Sequence, residues 1–323
     1  MSTITMSLKV PWLRSETLQR LWKTNRLLTL LGFASLGLLA VAALMALLDP
    51  RLITGAPAWA KPAKFAISSA FYTLTLVWML SYIHGQRRLV RLVGNVTALA
   101  LAVELFLIVF QVLRGVRSHF NFSTPLDGAI YSTMAVFIMI TWVMGLLAAL
   151  LLIRQPLTDR PWGLSLRLGL LIALYGAGVG SLMTRPTPGQ MAEMQTGKMA
   201  STIGAHSVGV EDSGPGLPFL GWSTEDGDMR VPHFFGLHAL QAIPLAGFAI
   251  NRYFQKRLSE GRRVALVWTM GLGYLGGAVL LTWQALRGQS IVAPDRLMLV
   301  AFSAWTVLVA STFGLIAAVR NKA

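Results

Sequence analysis

The sequence contains no cysteine and few charged residues of any kind. The lack of thiols excludes disulfides, thiolate metal sites and iron–sulfur clusters, so any metal must be bound by histidine, carboxylate or methionine. Charged residues make up 13% of the chain, hydrophobic residues make up 54%, and the mean hydropathy is +0.60. These values are too apolar for a soluble domain of 323 residues and indicate an integral membrane protein.

Long apolar runs recur along the chain, each of about 20 residues and able to cross a bilayer core of about 30 Å as a helix. They are continuous and do not alternate with polar residues, which excludes a transmembrane β-barrel. The predicted fold is an all-α polytopic membrane bundle of about eight transmembrane helices. The predicted spans are residues 27–48, 62–83, 91–113, 127–153, 164–183, 232–254, 264–286 and 297–319.

Basic residues are divided unequally between the two sides of this bundle. The side that carries both termini holds 18 of the 28 Lys and Arg, and the opposite side holds 10. The positive-inside rule therefore predicts cytoplasmic termini. The net charge of +15 reflects this topology, so we expect no nucleic-acid partner. The first apolar run is long, lacks a small-residue cleavage site and follows a basic stretch, so we expect no cleavable signal peptide. The basic, amphipathic segment 1–26 is expected to lie on the cytoplasmic membrane surface.

Two parts of the sequence repeat each other. Gln111 and Arg114 near the end of the third span recur as Gln284 and Arg287 near the end of the seventh, and a proline and an aspartate follow in both places. This pattern favours two four-helix halves, 27–157 and 158–323, related as a parallel repeat about an axis along the membrane normal. The alternative is chance similarity between apolar helices.

The loop 184–231 is the only long one between the predicted spans. Loops of this length without a helical pattern are commonly lids or disordered segments. Its content of buriable side chains, among them Phe219 and Trp222, favours an ordered extracytoplasmic lid over a solvated linker.

Glu104 lies near the middle of the third span, where a charged group is unfavourable unless it faces a cavity or a partner. Gln111 follows seven residues later on nearly the same helix face, and Arg114 lies one turn further out. The corresponding position in the second half is Gly277. We interpret Glu104 as a functional acid, catalytic or proton-coupling; the alternative is a protonated packing residue.

Four of the five histidines fall on the predicted outer side, which suggests a haem b or divalent metal site. His119, His206, His233 and His238 are the candidate ligands, with His238 the first choice because it lies within a span. His238 shares a helix face with Gln241. Lys61, Lys64, Arg114 and Arg287 form a basic set suited to haem propionates. The alternative is that these are interfacial histidines satisfied by backbone and water.

The segment RGVRSHFN, residues 114–121, is more polar than a turn requires. If the halves are symmetric, Arg114 and Arg287 face each other as walls of one pocket. His119 and Asn121 then turn over that pocket, and Glu104 forms its floor. Such a pocket is suited to an anionic head group.

Three function classes remain open from these residues. The first is a membrane redox or metal-dependent protein whose site opens outward. The second is a transporter or binding protein for a small anion or an anionic lipid, with Glu104 as the proton-coupling acid. The third is a structural subunit of a membrane complex. Membrane lipid is an expected partner in each case, and the sequence does not fix an oligomeric state.

Several strings resemble those of a family of bacterial multi-pass membrane proteins. They are WAKPAKFAIS, RGVRSHFN with TPLD, and GPGLPFLGWS leading to VPHFFGLHALQ. The resemblance covers most of the chain beyond the first span. It implies a bacterial cytoplasmic membrane and no particular activity.

Overall fold

The computed structural model describes residues 15–197, 200–212 and 214–318. Within them, a two-stranded antiparallel sheet joins β1 (Leu52–Ile53) to β2 (Ala56–Pro57), and the other regular structure is helical. The α-helices of this part of the chain are α1 (Ser15–Thr24), α2 (Arg26–Leu48), α3 (Ala60–Leu80), α4 (Arg87–Leu113), α5 (Pro125–Ile153), α6 (Arg160–Gly180), α7 (Pro188–Gln195), α8 (Arg230–Leu237), α9 (Ala239–Phe254), α10 (Glu260–Leu286) and α11 (Arg296–Ala318).

Seven of the described helices are long and apolar enough to cross a bilayer. They are α2, α3, α4, α5, α6 with the 3-10 turn that follows it, α10 and α11. The consecutive helices α8 and α9 are bent by 42° at His238 and make an eighth span if they are counted as one. The helical, multi-pass character predicted from the apolar runs is confirmed. The helix ends differ from the predicted ones by no more than four residues.

Polar caps and prolines determine where several of these helices begin. The Thr124 hydroxyl accepts a hydrogen bond from Asp127 N, and Pro125 occupies the first turn of α5. Asp159 caps α6 in the same way by accepting from Trp162 N. Such caps satisfy amide groups that have no partner within the helix.

The helices of the two halves have matching neighbours. α2 packs against α3 and α4, and α4 packs against α3 and α5. In the second half, α6 packs against α8, α9 and α10, and α10 packs against α8, α9 and α11. The halves meet where α5 contacts α6 and α3 contacts α9. Because α2 and α11 share no comparable packing in the described residues, the halves do not close into a ring.

The bent span approaches α6 very closely. Gly176 in α6 and Gly236 in α8 lie backbone against backbone, and a Cβ on either residue would overlap the backbone of the other helix. Beyond the bend, Pro244 lies inside α9 and contacts Gly169. Small residues thus allow the broken helix to pack deeply into the bundle.

Some residues used in the sequence argument are outside this description. Of the basic residues that predict the orientation, five lie outside the described residues: Lys9, Arg14, Lys198, Arg320 and Lys322. Within the segment 1–26, α1 is a helix whose Leu21 is buried against the bundle, while Leu18 and Trp22 are exposed.

Candidate functional site under the lid

The described residues between 185 and 229, here called the lid, fold onto the loop 114–124. Phe122 N donates to Ser201 O at 2.9 Å, and Ile203 N donates to Phe120 O at 3.1 Å. The two segments therefore pair in the manner of short strands. We call the end of the bundle that they cover the lid end and the opposite end the basal end.

Hydrogen bonds within the lid give it a fixed shape. Thr187 and Gln190 form a reciprocal cap at the start of α7. The same Gln190 amide group accepts from Gly204 N at 2.9 Å and donates to Gly204 O at 3.1 Å. Because these bonds fix the backbone on both sides of α7, the lid is an ordered structure over the helices.

Glu104 is deeply buried at this end, with 1% of its surface exposed. His119 extends from the loop so that Nε2 lies 3.5 Å from Glu104 Oε1, longer than an ordinary hydrogen bond. Neither carboxyl oxygen of Glu104 has a hydrogen-bond partner. The acid is therefore buried with its hydrogen-bonding capacity unused, which is unfavourable unless a ligand or proton occupies the site.

Lys61 and Tyr131 lie around the same acid. Lys61, on the first turn of α3, is within electrostatic reach of Glu104 and of Asp212 in the lid, and among the described residues it has no hydrogen-bond partner. Tyr131 is buried, its hydroxyl lacks a partner, and its ring centroid lies 6.1 Å from that of His119. An ammonium group and a hydroxyl thus lie beside an unpaired carboxyl group.

A polar stripe continues from this group along α4. Thr97, Glu104 and Gln111 follow one another at seven-residue spacing, and all three are buried. The Thr97 hydroxyl, like Glu104, has no side-chain partner. The stripe therefore extends from the lid end toward the basal end on one face of the helix.

The lid contributes a second histidine that is paired with an acid. His206 Nδ1 lies 2.5 Å from Asp212 Oδ2, and the ring of Phe120 separates His206 from Tyr131. Burial is the largest single influence on Asp212 and raises its pKa, but the hydrogen bond from His206, the charge of His206 and two backbone N–H donors together lower the pKa to about 2. Asp212 is therefore ionised at neutral pH, and it holds His206 in place.

Burial also acts on His119, which lies outside the spanning helices. It lowers the pKa of His119 well below the usual value near 6.5, and the charges of Lys61 and His206 lower it further. At neutral pH the ring is uncharged. The Nδ1 atom faces the Ser118 hydroxyl at 3.0 Å, so Nε2 is the atom directed at Glu104.

The other two predicted histidine ligands lie elsewhere. The His233 Nδ1 atom is 2.8 Å from Gly176 O and bonds α8 to α6. His238 is exposed at the bend between α8 and α9, and its predicted neighbour Gln241 donates to the Thr75 hydroxyl at 3.1 Å across the contact of the two halves. The structure therefore brings His119 and His206 near the acid and leaves His233 and His238 in separate places.

The sequence predicts that Arg114 and Arg287 line one pocket, whereas the structure shows each of them in an ion pair of its own. Arg114 Nη1 lies 2.6 Å from Asp127 Oδ1, and Arg287 Nη2 lies 2.7 Å from Asp295 Oδ2. The two arginines end helices that do not pack against each other, and each is neutralised by an aspartate of its own half. Each guanidinium group is thus paired with a carboxylate, whereas a shared anion pocket requires guanidinium groups that are free to bind the anion.

The two arginine sites nevertheless have the same local geometry. Gly115 and Gly288 have φ values of 73° and 72°, which favour glycine, and each ends its helix with the same pair of backbone hydrogen bonds. Gln111 O accepts from Val116 N at 3.1 Å, and Gln284 O accepts from Gln289 N at 3.2 Å. The Gln111 side chain donates to Asp127, whereas that of Gln284 donates to Ser290 O. Both glutamines are therefore structural at these helix ends.

The remaining predicted residues hold the loops. Lys64 Nζ donates to Leu220 O of the lid at 2.9 Å. The Asn121 side chain donates to Arg117 O and accepts from Ser123 N, which stabilises the turn that directs His119 inward. Neither side chain forms a hydrogen bond or an ion pair with Glu104, so both support the site indirectly.

The ligand sets for a metal or haem are incomplete in this arrangement. No group of three histidine, aspartate or glutamate side chains with metal-binding geometry occurs among the described residues. The arginines proposed for haem propionates bind Asp127 and Asp295 instead. His119 and Glu104 remain as two neighbouring groups of ligand type.

Comparisons of the chain with protein-family models, curated proteins and solved structures found no match.

Sequence reasoning did not single out Tyr131 or Asp212, and it noted Asp127 among the repeated residues. The string TPLD contains a signal for Asp127, because Thr and Pro followed by an acid in the first turn are typical of a helix start. Tyr131 lies one turn further along the same face and could have been assigned to the site from that spacing. Nothing in the lid sequence indicates that Asp212 pairs with His206, since that contact depends on the folded loop.

Proposed function

We propose that the protein binds a small anion together with a proton at the site under the lid, and that it acts as a proton-coupled binding or transport protein. The observation that supports this is Glu104, which is buried within a span with both carboxyl oxygens unpaired and with Lys61 in electrostatic reach. Intramembrane acids of this kind are typical of proton relays and coupling sites.

Competition for Lys61 supplies the coupling. The ammonium group of Lys61 is the only cation near Glu104 without a hydrogen-bond partner in the described residues, and it attracts either the Glu104 carboxylate or an incoming anion. Two negative charges beside one ammonium group repel each other in this buried place. Protonation of Glu104 removes one of them, so the anion and the proton bind together.

Other residues of the site suit the same ligand. The Tyr131 hydroxyl is an unused donor, and neutral His119 can pass a proton between the lid and Glu104. Glu104 is 1% exposed beneath the lid, and this low exposure strengthens the electrostatic interactions around it.

We further propose that the chain lies in a bacterial cytoplasmic membrane with both termini in the cytoplasm and the lid outside. The unequal distribution of Lys and Arg and the resemblance of the lid and loop strings support this placement. The site then opens outward.

Duplication of a four-helix unit is our proposal for the origin of the bundle. The matching helix neighbours and the matching glycine turns at Gly115 and Gly288 support it. In the second half Gly277 replaces the acid, and Phe235, stacked on Tyr274 at 4.3 Å, lies beside it. The proposed site therefore belongs to the first half alone.

A divalent metal is the second candidate ligand, favoured by the adjacency of His119 Nε2 and Glu104 Oε1. Metal analysis of protein purified from its native membrane, together with an absorption spectrum for haem, tests this alternative. Stoichiometric metal that is lost in Glu104→Gln would favour it over the anion.

Proton flux in liposomes tests the main proposal. The purified protein is reconstituted around a pH-sensitive dye, and inorganic phosphate, sulfate or succinate is added outside under an inward proton gradient. We expect one of these anions to accelerate acidification of the lumen, and we expect Glu104→Gln to abolish the acceleration. Glu193→Gln, which changes an exposed acid of the lid, is the matched control. Anion-dependent acidification that persists in Glu104→Gln would contradict the proposal.

A further inference from the structure

A cavity of about 360 Å³ lies at the basal end, between the first turns of α6 and α10. Its polar walls are Arg160, Arg167 and Glu260, and Leu164 and Trp268 are among its apolar walls. It is remote from the lid, because α6 and α10 begin at the opposite end of the bundle from the site under the lid. The volume is in the range of ligand sites in proteins.

Helical spacing produces this groove. Arg160, Leu164 and Arg167 recur at intervals of four and three residues and so share one face of α6. Glu260, Val264 and Trp268 share one face of α10 at intervals of four. The two faces lie side by side and form a groove with charged groups at its mouth and apolar groups along its length.

The guanidinium groups of the cavity are not neutralised by acids. Among the described residues, neither Arg160 nor Arg167 forms an ion pair; Glu260 Oε1 contacts only Arg160 N, at 3.4 Å. Arg167 donates to Gln155 O at 2.6 Å and to Leu152 O at 3.3 Å, which fixes its position and leaves further N–H donors for a ligand. The helix starts add positive potential, so the cavity is suited to an anion.

We propose that this cavity binds the phosphodiester of a membrane phospholipid, with Arg160 and Arg167 as its donors and the acyl chains along Leu164 and Trp268. Guanidinium groups match phosphate oxygens in geometry and charge. Trp268 is 44% exposed on a helix that is apolar enough to span a bilayer, so the groove opens toward lipid and not only toward water. The same chemistry suits free phosphate, and the lateral opening is the reason for choosing the lipid.

Native mass spectrometry of the delipidated full-length protein in detergent tests this site. Phosphatidylglycerol is titrated, and its binding is compared between the wild type, the double variant Arg160→Gln with Arg167→Gln, and the matched double variant Arg252→Gln with Arg257→Gln. The matched pair removes the same charge from exposed positions near the same end, outside the cavity. We expect the cavity variant to weaken the tightest binding by about tenfold or more and the matched variant to leave it unchanged. Equal weakening in both variants would overturn the proposal.

Loss of Arg167 can also disturb folding, because its side chain bonds to Leu152 O and Gln155 O. A second variant that keeps both arginines therefore tests the cavity independently. Gly261 lines the cavity, and a Cβ at this position meets nothing within 4 Å. Gly261→Phe is expected to fill the cavity and weaken lipid binding without lowering the thermal stability, because glycine is a poor helix residue. Unchanged lipid binding in this variant would contradict the site. Inorganic phosphate that binds alone, with the same dependence on the arginines and with displacement of the lipid, would show a free-phosphate site instead.

Discussion

His119 Nε2 lies 3.5 Å from Glu104 Oε1, so a residue of the loop reaches an acid buried within a span. The turn 114–124 is therefore more than a connection between α4 and α5. Its polar residues direct one imidazole inward and anchor the turn to the lid. This contact is the reason that the lid, the loop and the interior of the bundle form one candidate site.

Lys61→Gln is predicted to weaken anion binding by about tenfold to a hundredfold, because it removes the unpaired cation beside Glu104. The affinity of the anion that accelerates proton entry is measured by its effect on that rate. Arg117→Gln is the control, because it removes one positive charge from the turn 114–124 at the same end of the protein. The Arg117 side chain forms no hydrogen bond or ion pair with the described residues. An equal loss of affinity in both variants would point to general electrostatic attraction in place of a site.

Arg114→Gln and Arg287→Gln are predicted to differ in their effect on stability. Asp127 is 2% exposed, so loss of Arg114 leaves a buried carboxylate with fewer partners and lowers the free energy of unfolding by about 1–3 kcal/mol. The Asp295 side chain is 38% exposed, so solvent screens its charge and loss of Arg287 has a smaller effect. Unfolding in mixed detergent with increasing denaturant measures both. Equal destabilisation would mean that the two ion pairs are equally buried.

The stability of the protein is predicted to fall as the pH decreases below about 6.5. His119 has a lowered pKa in the folded chain, so the unfolded chain takes up a proton that the folded chain does not. The stabilisation due to neutral His119 is complete above the pKa of histidine in the unfolded chain. It is lost as the pH falls toward the lower pKa of His119 in the folded chain, at up to about 1.4 kcal/mol per pH unit. Thermal unfolding between pH 7.5 and 5.5 measures the slope. His119→Gln should reduce it, and an unchanged slope would assign the effect to other groups, of which His206 is the first to examine.

Reporter fusions are expected to place the lid outside and both termini in the cytoplasm. An alkaline phosphatase reporter inserted after Gly197, in the lid, should be active, and a fluorescent reporter at the C-terminus should fold in the cytoplasm. The opposite pattern would turn the site under the lid toward the cytoplasm and remove the basis for an outward-facing function.

The apolar runs were sufficient to predict the helical bundle because hydrophobic length is a local property of the sequence. The ends of α4 and α5 agree with prediction within a few residues, since Arg114 and Thr124 lie where the apolar runs stop. The bend at His238 was not predicted. The neighbouring proline, Pro244, is inside α9 and not at the break, and the bend coincides with the close contact of Gly176 and Gly236.

The site was predicted in part for a different physical reason. Glu104 was identifiable because a charged group inside an apolar run is unfavourable by itself. The partners of Arg114 and His206 were not identifiable, because the acids Asp127 and Asp212 are brought to them by local folding of caps and loops. Sequence symmetry did not indicate the ion pairs of the two arginines, since a repeated motif can be completed within each half.

The second half has Gly277 at the position that corresponds to Glu104, so the proposed cycle has a single proton-binding acid. With one buried acid and one unpaired cation in this site, as far as the chain is described, the proposed cycle takes up one proton with each anion, which for phosphate is the monovalent dihydrogen form. The pair carries no net charge, so the voltage across the membrane does no work on it, in contrast to the gating charges of voltage sensors. The pH gradient and the concentration gradient of the anion together then determine the direction of movement.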